Sequence, residues 1–313
     1  MTTIDAPYPA GGEPPHGEAP PEDDKAFFGQ PKGLRTLFAT EFWERYSFYG
    51  MRGLLVLFLT DTVANGGLGF STETGNSFLG IYNSLVYLMA LPGGWIADRI
   101  WGARRSVLWG GVIIAVGHYV MAVPSEPTTF IGLGLIVLGT GLLKPNISAQ
   151  VGDLYHEHDR RRDAGFTVFY MAINMGGFLA PLTAGWVGQH INYHLGFGCA
   201  ALGMTFAVIF YVAQGKYLGT IGLWPPKPIA GPELRRALRL AALVVVVVLA
   251  IVLGWMAFTQ WSVAAFSDAL AAPIIVSPIV YFGFMFGRGG CRAGRRRSWR
   301  RSWRSSSGPR CSG

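Results

Sequence analysis

Apolar residues fall along this chain in long blocks, separated by short polar connections, and not in the brief pulses of a water-soluble amphipathic fold. Blocks of spanning length occupy residues 34–60, 75–97, 106–123, 128–150, 164–188, 196–214, 238–258 and 263–287. A helix rises about 1.5 Å per residue and a bilayer core is about 30 Å thick, so about 20 apolar residues suffice to cross it. Pro92, Pro145 and Pro181 fall inside these blocks. In water they would argue against helices, whereas membrane helices tolerate proline and kink to shape cavities. The pattern predicts an all-α integral membrane protein with about eight spans.

Composition agrees. Half of the 313 residues are hydrophobic and 14% are charged, against about a quarter in soluble domains. The net charge of +8 is not spread evenly: nine arginines lie from Arg288 onward, where there is no acid, leaving 17 Lys+Arg against 18 Asp+Glu before that point. A basic body that would bind nucleic acid is thereby excluded, and no nucleic-acid partner is expected. Of the three cysteines only Cys199 precedes the tail, so no disulfide framework is implied.

Lysine and arginine bias sets membrane orientation. The second, fourth and sixth connections carry Arg99, Arg104 and Arg105, then Arg160, Arg161 and Arg162, then Lys216, Lys227, Arg235, Arg236 and Arg239; the odd connections carry none. The N-terminus, the even connections and the tail are therefore expected on the cytoplasmic side of the cell membrane. Residues 1–32, rich in proline, glycine and acids, read as a disordered cytoplasmic leader; 33–215 as a six-helix bundle; 216–237, with four prolines, as a cytoplasmic linker; and 238–287 as an added helix pair.

The first block holds Glu41, Glu44 and Arg45, spaced i, i+3, i+4, with Phe48 and Tyr49 a turn further. On a helix the three charged tips share one face. Each ionised group costs at least about 2.5–3.5 kcal/mol at mid-bilayer, so the group must meet a partner or water, and it marks a polar pathway by default. Lys144, interrupting another block just before Pro145, is the candidate partner. A soluble helix with a surface ion pair, worth about 0.3–0.5 kcal/mol, is the blander alternative, and the surrounding pattern disfavours it.

Gly94-Trp95-Ile96-Ala97-Asp98-Arg99-Ile100-Trp101-Gly102-Ala103-Arg104-Arg105 resembles the signature loop between the second and third helices of the major facilitator superfamily. Three further stretches narrow the resemblance to the proton-dependent oligopeptide transporter family: Glu41 to Arg45 with its ExxER pattern, Gly139 to Ser148 around Lys144 and Pro145, and Phe169 to Gly176 around Asn174. The resemblance implies a major facilitator N-terminal six-helix bundle followed by the extra helix pair of bacterial members, and proton-coupled symport of di- and tripeptides. It assigns Glu41, Glu44, Arg45 and Lys144 to proton coupling, and Arg45, Tyr49, Tyr87, Lys144 and Asn174 to substrate. Asp98, Arg99, Gly102, Arg104, Arg105 and Pro145 become a conformational motif. Phe48-Tyr49 stands where the family commonly has two tyrosines, which bears on substrate range.

The chemistry is consistent with that assignment. A site tolerant of side chains must grip a peptide's carboxylate, amine and amides. Arg45 and Lys144 are the cations available for a carboxylate, and Glu41 and Glu44 are the acids available for a proton. Tyr82 and Asn83 read as structural. Asn146-Ile147-Ser148 fits a glycosylation pattern but lies within a span, the glycines at 132, 134, 139 and 141 read as close helix contacts, and His156-Glu157-His158-Asp159 reads as a solvated loop. No nucleophile with a base and no metal or cofactor motif is found, so the chain is expected to be no enzyme, with protons as the coupling ion.

The tail from 288 to 313 reads as out-of-frame translation beginning where the family would enter its seventh helix, with a polybasic segment on the anionic inner leaflet, helped by Trp299 and Trp303, as the alternative. The expectation is an N-terminal fragment, inactive alone, whose partners are the lipid bilayer, a di- or tripeptide, and either a full-length transporter or a separately encoded second half. A membrane-anchored regulatory fragment or a degraded gene product is the alternative.

Overall fold

The computed structural model describes residues 20–21, 24–156, 158–229, 231–236 and 239. The predicted spans 238–258 and 263–287, and the tail, lie outside the described residues apart from Arg239. Within the described residues the regular secondary structure is helical, with one isolated bridge between Phe27 and Gln30.

The helices are α1 (Lys32–Thr60), α2 (Thr72–Ile96), α3 (Ala103–Met121), α4 (Glu126–Asp153), α5 (Arg162–Ala180), the short α6 (Trp186–His190) and α7 (Tyr193–Gln214). Wide π turns extend α2 through Ala97–Trp101 and join α5 to α6 through Pro181–Gly185. Pro181 sits at the second of these, where its missing N–H loosens the helical ladder. Three stretches among the described residues are long and apolar enough to cross a membrane: Glu126–Asp153, Arg162–His190 and Tyr193–Leu218.

Local signals set the helix starts. Ser71 caps α2 by accepting from Thr74 N at 3.2 Å, with Glu73 in the first turn, and Asn192 caps α7 by accepting from His194 N at 2.8 Å. Proline in the first turn of α4 occupies a position where its missing donor costs nothing.

α3 packs most extensively on α4, α1 lies between α7 and α5, and α2 rests on α4. Glycines permit the close crossings. A Cβ at Gly132 would meet Met121 and the Gly117 carbonyl, one at Gly139 the Gly110 carbonyl, and one at Gly141 the Met89 backbone. Gly134, expected to do the same, faces open space.

Of the segment read as a leader, the last residues lie against the bundle. Asp24 Oδ2 accepts from Lys32 N at 2.9 Å and so satisfies a free donor at the start of α1. Arg161 Nη1 donates to the Asp24 carbonyl at 3.0 Å, and the buried Tyr155 hydroxyl donates to Gln30 Oε1 at 3.0 Å. Burial pushes the Tyr155 phenol up to about 12, which keeps that donor protonated.

The segment read as a linker also folds back, onto the turn between α2 and α3. Arg104 N donates to Gly222 O at 2.8 Å, Lys227 N to Asp98 O at 3.0 Å and Ile229 N to Arg99 O at 3.1 Å. Gly102, at φ 80°, has no room for a Cβ, which would lie 2.8 Å from the Gly222 and Leu223 carbonyl oxygens.

Candidate functional site

The middle of α1 carries the charges. Glu41 and Glu44 are 0% and 1% exposed and Arg45 is 7% exposed, so all three are withdrawn from solvent. What allows this is mutual pairing. Arg45 forks onto Glu44, Nε to Oε2 and Nη2 to Oε1, a bidentate geometry suited to a guanidinium. Its Nε also lies 3.4 Å from Glu41 Oε1. Lys144 reaches across from α4 and donates to the same Glu41 Oε1. Two acids and two cations thus form one neutral cluster, as buried charge requires.

The acids are not equivalent. Both oxygens of Glu44 are engaged, whereas Glu41 Oε2 is buried without a partner among the described residues. The cations differ too: the Lys144 side chain is 32% exposed and the Arg45 side chain 9%. Lys144 is therefore the cluster's outward member.

The position of Lys144 follows from how α4 meets α2. Pro145 removes one rung of the α4 ladder, and Asn146 Nδ2 donates to Leu142 O at 2.6 Å and to Gly93 O of α2 at 3.3 Å. This cross-link explains why Asn146 is buried. On the opposite side α5 approaches α1 through Gly176, where a Cβ would meet Phe42 and Tyr46 backbone atoms.

Of the predicted peptide-contacting residues, Tyr49 borders the cluster: the Arg45 guanidinium lies 6.0 Å from its ring centroid and 4.6 Å from that of Phe48. Asn174 is exposed on α5 and donates to its own Tyr170 carbonyl at 3.1 Å, and Gly177, three residues on, lies against the Tyr49 ring. Tyr87 is 74% exposed on α2. In the loop motif, Asp98 and Arg99 are held through their main-chain carbonyls. Arg104 is 1% exposed, with no hydrogen bond to its guanidinium among the described residues, and Arg105 is half-buried.

Three side chains near the cluster were not assigned from sequence. Arg52 stands 6.0 Å from the Phe48 ring and continues the 41, 45, 48 spacing by another turn, a signal that was there to read. Tyr82, read as structural, is buried, its hydroxyl without a hydrogen bond among the described residues, and stacks on Phe48 at 6.4 Å. His118 of α3 is fully buried, with neither ring nitrogen hydrogen-bonded among the described residues, and within electrostatic reach of Glu44. A single histidine in an apolar block carries no such signal in sequence.

A helical bundle whose first helix carries a buried Glu-Glu-Arg group closed by a lysine of its fourth has known relatives. The model of the POT family matches residues 104–272, and the chain belongs to that family. Its members are membrane transporters and not enzymes. A di-/tripeptide transporter of Lactococcus lactis subsp. lactis (strain IL1403) is 46% identical over 271 residues, 84% of this chain and 54% of that protein. The uncharacterized transporter YclF of Bacillus subtilis (strain 168) is 45% identical over 264 residues, 84% of this chain and 53% of its own. Among solved structures, peptide transporter POT in complex with sulfate superposes with a TM-score of 0.76 at 44% identity, covering 84% of this chain and 54% of that one. A POT family transporter in complex with 5-aminolevulinic acid gives 0.76 at 38% identity, with 84% and 54% covered. The chain spans about half the length of the relatives it matches.

Proposed function

We propose that this chain supplies the N-terminal half of a proton-coupled symporter of di- and tripeptides in the cytoplasmic membrane. It would be a major facilitator six-helix bundle, α1 to α7 with α5 and α6 as one span, followed by a further helix pair. The N-terminus would face the cytoplasm. The all-helical match to peptide transporters supports the substrate class, and the loop-charge asymmetry supports the orientation.

The observation that carries the mechanism is Glu41 with one oxygen shared by two cations and the other without a partner among the described residues. A proton arriving on Oε2 cancels the Glu41 charge and frees the outward Lys144 from its partner. The freed ammonium then takes the peptide carboxylate, with Arg45 behind it, while Glu44 keeps Arg45 fixed. Tyr49 and Asn174 offer groups for the peptide backbone, and Tyr87 lies farther out on α2. Proton and peptide each replace one side of the same ion pair, so each favours the other. Alternating access requires a second bundle for this one to rock against, and the activity belongs to the assembly with the part of its relatives that this chain does not match.

The test is proton uptake into liposomes driven by added dialanine, with this chain and that remaining part reconstituted together. Uptake is expected with the native sequence and absent with Glu41→Gln. Uptake that survives Glu41→Gln at the native rate would refute the scheme.

A further inference from the structure

Where α2 gives way to α3, the fold-back of residues 222–229 builds a structure the transport scheme does not use. The main-chain bonds from Lys227 to Asp98 and from Ile229 to Arg99 hold the returning segment against the π turn. They leave an open cleft of about 540 Å³, within the range that takes a small ligand or headgroup. Arg99 and Lys227 line it against a single acid, Asp98, so its charge is positive. Trp95, Leu91 and Pro226 form its apolar side, and Leu91 is 73% exposed.

Those two characters together define the ligand. A soluble anion would use the cations and gain nothing from the exposed apolar wall. A ligand carrying a phosphodiester on a hydrocarbon stem would satisfy both. In the membrane placement proposed above, the cleft falls at the cytoplasmic end of α2, where Trp95 and Trp101 would meet the interface that amphipathic rings favour. We propose that this cleft is a binding site for the headgroup of an anionic phospholipid. Its phosphodiester sits between Arg99 and Lys227 and its glycerol and upper chains lie along Trp95 and Leu91. Asp98 opposes the anion and sets how tightly it is held. The site rests on the membrane placement proposed above, but neither on proton coupling nor on peptide binding.

The experiment is native mass spectrometry of the purified full chain released from detergent and titrated with phosphatidylglycerol, with phosphatidylcholine of the same chains, or with inorganic phosphate. Phosphatidylglycerol is expected to bind in preference to both. At about one basic residue's worth of attraction each, Arg99→Gln and Lys227→Gln should weaken it about fivefold apiece and about 30-fold together. The bonds that build the cleft come from main-chain atoms and survive these changes. Asp98→Asn should tighten binding about fivefold, a direction that unfolding cannot produce. Equal binding of the two lipids, phosphate binding as tight as that of phosphatidylglycerol, or variants that bind as the native chain does would each overturn the proposal. Dialanine-driven proton uptake by the co-reconstituted Lys227→Gln chain, expected at the native rate because Lys227 belongs neither to the Glu41 cluster nor to the loop motif, separates this result from the transport scheme, which stands or falls on Glu41.

Discussion

Replacing Lys144 by glutamine removes the partner that a fully buried carboxylate depends on. Glu41 is 0% exposed, and among the described residues one of its oxygens has no partner and the other would be left with Arg45 Nε alone, at 3.4 Å. Arg45 cannot compensate fully, because its fork is already closed on Glu44. Breaking a buried pair by deleting one member costs about 3–5 kcal/mol. The Lys144 side chain is 32% exposed, so part of the pair is already solvated and the lower end, about 3 kcal/mol, is expected. The reverse change, Glu41→Gln, leaves an ammonium that can turn to water and a Glu44–Arg45 pair still intact, so about 1 kcal/mol is expected. The two residues touch, so the double variant should cost less than the sum of the singles by about 1–2 kcal/mol. Equilibrium unfolding in mixed detergent micelles, followed by tryptophan fluorescence, measures all three. Lys144→Gln within about 0.5 kcal/mol of the native chain, or milder than Glu41→Gln, would refute the assignment of Glu41 as the buried and dependent partner.

Gly176→Leu should destabilise the bundle by about 3 kcal/mol or more in the same unfolding assay, since any Cβ there meets the Phe42 and Tyr46 backbone and forces α5 off α1. Tyr155→Phe keeps the ring but strands the buried Gln30 oxygen. A loss of about 1–3 kcal/mol is expected, with faster proteolysis ahead of α1 as a second readout. In the loop before α5, side-chain hydrogen bonds from Arg161 hold the Asp159 carboxyl below the usual carboxylate range. A depressed value means the bond stabilises the loop above the ordinary carboxylate value of about 4 and is lost as pH falls through the lowered one. Protection of the Arg161 amide, which donates to Asp159 Oδ1 at 2.8 Å, should therefore be constant from neutral pH to about 4 and fall below it; Asp159→Asn should lower it throughout.

How much of this was legible in the sequence depends on the kind of interaction. The apolar blocks gave the described helices to within a few residues, because hydrocarbon length is a property of the letters themselves. The expected 75–97 became Thr72–Ile96 with a π turn to Trp101, and 196–214 became Tyr193–Gln214. The shared face of Glu41, Glu44 and Arg45 could be read from helical spacing, and an unpaired lysine in another block pointed to where a partner had to come from. Which acid takes which cation could not be read, since it depends on how Pro145 and Gly93 set α4 against α2. The return of 222–229 onto Asp98 and Arg99 was equally invisible, because main-chain hydrogen bonds leave no trace in residue type. Tyr82 and His118 look like ordinary apolar-block residues until burial strips them of water.

The most direct measurement is the distance between Lys144 Nζ and the Glu41 carboxylate in lipid, from solid-state NMR dipolar coupling between labelled nitrogen and carbon, before and after dialanine is added. The pair should lie within about 4 Å without peptide. With peptide and at acidic pH that coupling should weaken, and a new one should join Lys144 to the labelled peptide carboxylate. A Lys144 nitrogen that never couples to Glu41, or a coupling that peptide leaves unchanged, would contradict the exchange of partners on which the account stands.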